Sequence, residues 1–105
     1  MSIPDYQRLM LPVLRIAATG EQRVSDVAEY IADELGLNLA EREELLPSGR
    51  QTILRNRIHW AKFYMSKAGL IASPKRGLFV ATENGRRLLD SNPARIGVNE
   101  LKEFE

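Results

Sequence analysis

Cysteine is absent from this sequence, and histidine occurs once, at His59. Neither a disulfide framework nor a thiolate zinc site can form, and a lone histidine cannot complete an all-histidine metal site. Long hydrophobic runs are missing as well: no stretch approaches the roughly 20 apolar residues that span a bilayer. The opening MSIPDYQRLM lacks a basic region followed by an apolar one, so no secretory signal is read there. The expectation is a cytoplasmic protein with no membrane partner. Ser48-Gly49-Arg50 is too short for a glycine-rich phosphate loop, and nothing in the spacing gathers a serine, a histidine and an acid into one catalytic set. No catalytic centre, metal or cofactor is therefore expected within this chain.

Acids are missing too, but only locally. Residues 1–44 hold nine acids and four bases, residues 45–82 hold seven bases and no acid, and residues 83–105 hold five acids and four bases. The net charge of +1 thus conceals an acid-free basic block in the middle of the chain. Such a block is the electrostatic footprint of a polyanionic partner, although a solvated lysine-rich helix face would have the same composition.

What is present suits one domain: 105 residues, 44% of them hydrophobic, are enough to bury a core. Residues 5–19 read as a first helix with Leu9, Leu11, Leu14, Ile16 and Ala17 as its apolar surface. Pro12 fits best in a first turn, where its missing N–H costs nothing, so the regular helix is expected to start near it. Ser25 is the expected N-cap of a second helix over 26–35, with Asp26 and Glu29 in its first turn and Gly36 as its stop. Asn38 with Glu41 has the spacing of a capping box, which predicts a short helix over 40–46 before Pro47.

The longest predicted element covers 50–68, where Leu54, Ile58, Ala61, Met65 and Ala68 form one stripe, with Trp60 and Tyr64 expected in the core beside it. Strands are predicted at 70–72 and 78–81, joined by the basic turn Ser73-Pro74-Lys75-Arg76-Gly77. Thr82 caps a last helix over 83–91. From Pro93 the pattern fades, so 1–92 is read as the domain and 93–105 as a tail or linker, with one turn of helix from Asn99. The resulting fold class is mainly α with a small β-hairpin: a winged helix-turn-helix with an inserted short helix.

Helical geometry then sorts the long helix. With the apolar stripe at zero, Arg55, Lys62 and Ser66 fall at about 80–120°, and Thr52, Asn56, His59, Phe63 and Lys67 at about 140–220°. The face opposite the core carries side chains that DNA recognition uses, since arginine can pair with a guanine edge and asparagine with adenine. Gln51, Thr52, Arg55, Asn56 and His59, toward the helix N-terminus, are the candidate base readers. Arg50, Lys62, Lys75 and Arg76 are the candidate phosphate contacts. Arg57 lies near the core edge and is expected to be a structural ion-pair partner. Phe63, on the polar face, is expected to pack under the wing or against the inserted helix. Pro4-Asp5 and Glu100-Leu101-Lys102 spell a PD…ExK nuclease motif. That chemistry needs its acids and lysine on adjoining strands around a metal, whereas these residues begin a helix and sit in a tail, so the match is read as chance.

Several spaced stretches resemble the N-terminal domain of Mrr-like restriction endonucleases. They are Ile3-Pro4-Asp5-Tyr6 with Leu9-Met10-Leu11-Pro12, Glu44 through Gln51, Asn56-Arg57 with Trp60-Ala61 and Tyr64, Lys67 through Leu70, and Pro74 through Phe79 with Thr82 and Gly85. The resemblance implies a winged-helix domain that recruits its parent protein to double-stranded DNA, methylated DNA included, ahead of a C-terminal PD-(D/E)xK nuclease domain. It implies a cytoplasmic, nucleoid-associated location in a bacterium or archaeon. Two other functions fit the same fold. A stand-alone transcriptional regulator would be a symmetric homodimer on paired half-sites. A winged-helix protein-interaction module would use the surface around Phe63 and the inserted helix.

Overall fold

The computed structural model describes residues 3–91, 93, 95–97 and 101. Among these residues, five named helices and a short hairpin follow one another in the order expected of an elaborated winged helix: α1 (Tyr6–Ala17), α2 (Val24–Leu35), α3 (Leu39–Glu43), α4 (Ile53–Lys67), β1 (Ile71–Ala72), β2 (Val80–Ala81) and α5 (Glu83–Asp90).

Helix α1 begins where Asp5 accepts a hydrogen bond from the Arg8 amide, at 2.9 Å, and it runs through Pro12. The expectation that Pro12 marks the helix start is therefore corrected. Proline cannot supply the N–H that the Arg8 carbonyl would accept, an interior cost. Burial of Leu9, Met10, Leu11, Val13, Leu14 and Ala17 on the same helix offsets it.

Helix α2 starts at Val24, with Arg23 rather than Ser25 at the cap and no side-chain capping bond. Glu29 consequently falls outside the first turn, and Asp26 alone faces the positive end of the helix. Its end is as expected: Gly36 takes the left-handed conformation (φ 66°) and its N–H bonds back to the last turn.

The capping box of α3 is present, with Asn38 and Glu41 each accepting from the other's backbone amide. The Asn38 N–H also holds the Glu41 carboxyl below its ordinary pKa. Helix α3 ends at Glu43, earlier than expected, because Leu45 leaves it to pair with Thr52.

The core lies between α1, α2 and α4 and is closed at one end by the hairpin and α5. Leu54, Ile58, Ala61, Met65 and Ala68 are all buried, as their spacing predicts. The hairpin pairs Ile71 with Ala81 and Ala72 with Val80. An additional bridge between Gln22 and Phe79 joins the α1–α2 connection to the wing strand, through bonds of 2.8 and 2.9 Å. Thr82 locks the hairpin base to α5: its hydroxyl donates to the Gly69 carbonyl at 2.6 Å and accepts from the Gly85 amide at 3.2 Å. Gly85 sits so close to β1 that a Cβ there would collide with the Leu70 carbonyl oxygen. Beyond α5, Ile96 and Leu101 are buried in the same hydrophobic cluster, and Leu101 is helical; Asn99, where a helical turn was expected to begin, lies outside the described residues. Among the described residues, no helix is long and apolar enough to cross a membrane.

Candidate nucleic-acid interface

Helices α2 and α4 form the helix-turn-helix pair, and their connection contains α3. An ion pair of 2.8 Å between Arg42 and Asp33 fastens α3 to α2, and Arg42 also donates to the Leu37 carbonyl at 2.9 Å. The chain then turns sharply through Pro47-Ser48-Gly49. Leu46 N–H bonds to the Gln51 carbonyl at 3.0 Å, and Ile53 N–H bonds to the Glu44 carbonyl at 2.8 Å. This small bridged loop changes the expected start of the long helix. Arg50, Gln51 and Thr52 precede α4 instead of opening it, and Thr52 caps it by accepting from the Arg55 amide at 3.2 Å. Pro47-Ser48-Gly49 marks the turn itself in the sequence, but not the pairing across it that delays the helix.

The loop and α4 bring together seven of the nine residues singled out from the sequence, around two neighbouring depressions. Arg50, Gln51, Thr52, Arg55 and His59 line one, and Asn56, His59 and Lys62 contribute to the other, so His59 is shared between them. The Asn56 side-chain Nδ2 donates to the Gln51 side-chain Oε1 at 3.3 Å, which orients both side chains. His59 is exposed, yet desolvation by its neighbours, followed by the positive charges of Lys62 and Arg55, lowers its pKa below the ordinary value and favours the neutral imidazole.

Lys75 and Arg76 lie apart from this group, exposed at the tip of the wing. Lys62 bridges the two regions, because its amine sits 5.3 Å from the centroid of the buried Phe79 ring at the wing base. No acid occurs between residues 45 and 82, and among the described residues none lines either depression. A depression of about 520 Å³ between α1 and α2 is different in character, since Asp26 and Glu34 line it with Arg15.

Three expectations about flanking residues change. Arg57 is structural, but its partners are backbone carbonyls: it donates to Ile3 at 2.6 Å and Pro4 at 3.2 Å. Trp60 is 47% exposed rather than core. Tyr64 occupies the space beside the core, stacked on Tyr6 at 5.3 Å, and Trp60 is displaced outward. Burial beside Tyr64 raises the Tyr6 pKa. Phe63 is 44% exposed and packs edge-on against Trp60 and Tyr64 of its own helix, at 5.6 Å from each. Of the nuclease-like letters, Asp5 is the α1 cap, and Glu100 and Lys102 lie outside the described residues. Among the described residues there is no group of three or more metal-ligating side chains.

These features define a winged helix with one inserted helix, its recognition-type helix exposed along a basic face. The chain belongs to the Mrr N-terminal domain family, whose pattern matches residues 6–91. It is 37% identical over 95 residues to the type IV methyl-directed restriction enzyme EcoKMrr of Escherichia coli (strain K12). That alignment covers 89% of this chain and 31% of the relative, so the chain spans about a third of the protein it matches. No solved structure matches the chain.

Proposed function

We propose that this domain targets a restriction-system protein to double-stranded DNA. The N-terminal half of α4 enters the major groove, where Arg55, Asn56 and His59 meet base edges, with Gln51 and Thr52 beside them at the helix start. Arg50, Lys62, Lys75 and Arg76 contact phosphates and set the register. The observation that carries this reading is the acid-free face of α4 continuing into a basic wing. Thr52 keeps its hydroxyl proton for donation while its oxygen caps the helix.

The E. coli relative is named a methyl-directed restriction enzyme, and the substrate class in this reading is accordingly methylated DNA, cleaved by a nuclease domain of the parent protein. The test is a titration of fluorescent duplexes, methylated and unmethylated, with this chain at several salt concentrations. Binding should weaken steeply with salt, corresponding on the order of four to six released ions. A methyl preference would locate modification sensing in this domain, and equal affinity would assign it elsewhere in the parent. Failure to bind any duplex at low salt contradicts the proposal.

A protein-binding role has one observation in its favour. Leu39 and Leu45, in and just after α3, are 69% and 53% exposed. A partner held there would bind with little dependence on salt, and its binding would be weakened by Leu39→Ser.

A further inference from the structure

Two large aromatic side chains project from a surface otherwise built for a polyanion. Trp60 and Phe63 stand one helical turn apart on α4, their rings 5.6 Å apart at an interplanar angle of 87°. They make a corner, a floor and a wall, over a shallow depression of about 460 Å³ that Asn56, His59, Lys62 and Ser66 complete. Lys67 holds its amine 5.0 Å from the Phe63 ring centroid.

Stacked, paired bases in a duplex hide their ring faces from a protein, so an aromatic corner gains little from an intact duplex beyond contacts to groove edges. An unstacked base exposes both faces, and stacking on an aromatic ring is a sequence-tolerant source of affinity. Asn56 and His59 add hydrogen-bonding groups for a base edge, and Lys62 and Lys67 supply charge for the adjoining phosphates. Charge decides the occupant. A second copy docked on this corner would bring both lysines against their counterparts, whereas a nucleotide brings the opposite sign.

We propose that the Trp60–Phe63 corner is a stacking site for an unstacked nucleobase, supplied by a single strand or by a base extruded from a duplex. This rests on the reading that the α4 face meets DNA, and adds a second mode of contact to it.

Trp60 is the one tryptophan of the sequence, so its emission reports on this corner alone. The full chain is titrated with a labelled single strand, the matched duplex, and the same duplex carrying one unpaired base, following tryptophan emission and probe anisotropy. The expected result is quenching of Trp60 and an affinity for one or both unpaired probes on the order of ten-fold above the matched duplex. Trp60→Ala should bring that ratio close to one, and Trp60→Phe should retain most of it. Preference for the single strand assigns the site to free strands, and preference for the bulged duplex assigns it to an extruded base.

Matched-duplex binding with silent Trp60 emission and no preference overturns this inference while leaving the targeting role intact. An unchanged preference in Trp60→Ala also overturns it. Unpaired probes bound and quenching Trp60, with the matched duplex not bound, would support the stacking site and contradict the duplex reading. No binding to any probe overturns both. Trp60 emission that shifts with protein concentration in the absence of DNA, accompanied by a doubled mass, would assign the corner to a self-interface and overturn the proposal.

Discussion

The Arg57 guanidinium donates to the Ile3 carbonyl oxygen at 2.6 Å, tying the middle of α4 to the segment that precedes α1. A second donation reaches the Pro4 carbonyl, and the Tyr6–Tyr64 stack joins α4 to the first residue of α1. The polar face of α4 is thus held by contacts made from its opposite edge.

Arg57→Ala should accordingly cost about 1–3 kcal/mol of stability, since two carbonyls lose a charged donor. Thermal denaturation measures this. At temperatures where the variant is fully folded, DNA affinity should stay near that of the parent, because Arg57 points away from the proposed interface. A loss of affinity without a loss of stability would make Arg57 a DNA contact.

Gly85→Ala should be more damaging than its size suggests. The added methyl meets the Leu70 carbonyl, which is backbone and already accepts from the Thr82 amide at 2.9 Å. Overpacking of this kind costs about 1–3 kcal/mol or more, and at this chain length each kcal/mol lowers the melting temperature by about 4–8 °C. A variant that melts with the parent would show that α5 can slide away from β1 freely.

The helix order, the apolar stripe of α4, the α3 capping box and the Thr82 cap were legible in the sequence because each rests on local spacing or a local hydrogen bond. Three of the features that were not show why. Pro12 lies inside α1 because tertiary burial outweighs a local penalty, which no propensity reveals. Arg50, Gln51 and Thr52 precede α4 because Leu45 and Thr52 pair across a turn, a contact that helical periodicity cannot register. Trp60 is exposed because Tyr6, from a distant part of the chain, stacks on Tyr64 and fills the flank of the core. Seven of the nine candidate residues came together because one helix and its leading loop carry them, and helical angles are computable from sequence.

Among those residues, Arg55 and the wing pair should separate by the kind of loss they produce. Arg55→Ala should cost about 1–3 kcal/mol on the preferred sequence and relax the preference, as removal of a bidentate base contact does. Lys75→Ala with Arg76→Ala should weaken all duplexes alike and flatten the salt dependence by about two ions. Binding isotherms on a preferred and a scrambled duplex check both. Equal loss on every sequence from Arg55→Ala would demote it to a backbone contact.

His59 should leave a signature in the pH dependence of stability. Its folded pKa lies below the ordinary 6.5, so on acidification the unfolded chain takes up the proton first. Above that value His59 contributes nothing to the pH dependence. As pH falls through it, stability declines, levelling off below the lowered folded pKa. His59→Gln removes this component, so the stability of parent relative to variant should fall between pH 7.5 and pH 5. Identical profiles would mean that neither desolvation, Lys62 nor Arg55 acts on the imidazole.

In the proposed function, the α4 face and the wing together form the DNA interface. Amide chemical-shift mapping of the chain during titration with a duplex tests it most directly. Shifts should concentrate on residues 50–67 and on the wing turn 73–77, while the mixed-charge depression near Asp26 and Glu34 stays silent. Shifts confined to α1, α2 or α3, with Arg55, His59 and Lys75 unmoved, would contradict the account.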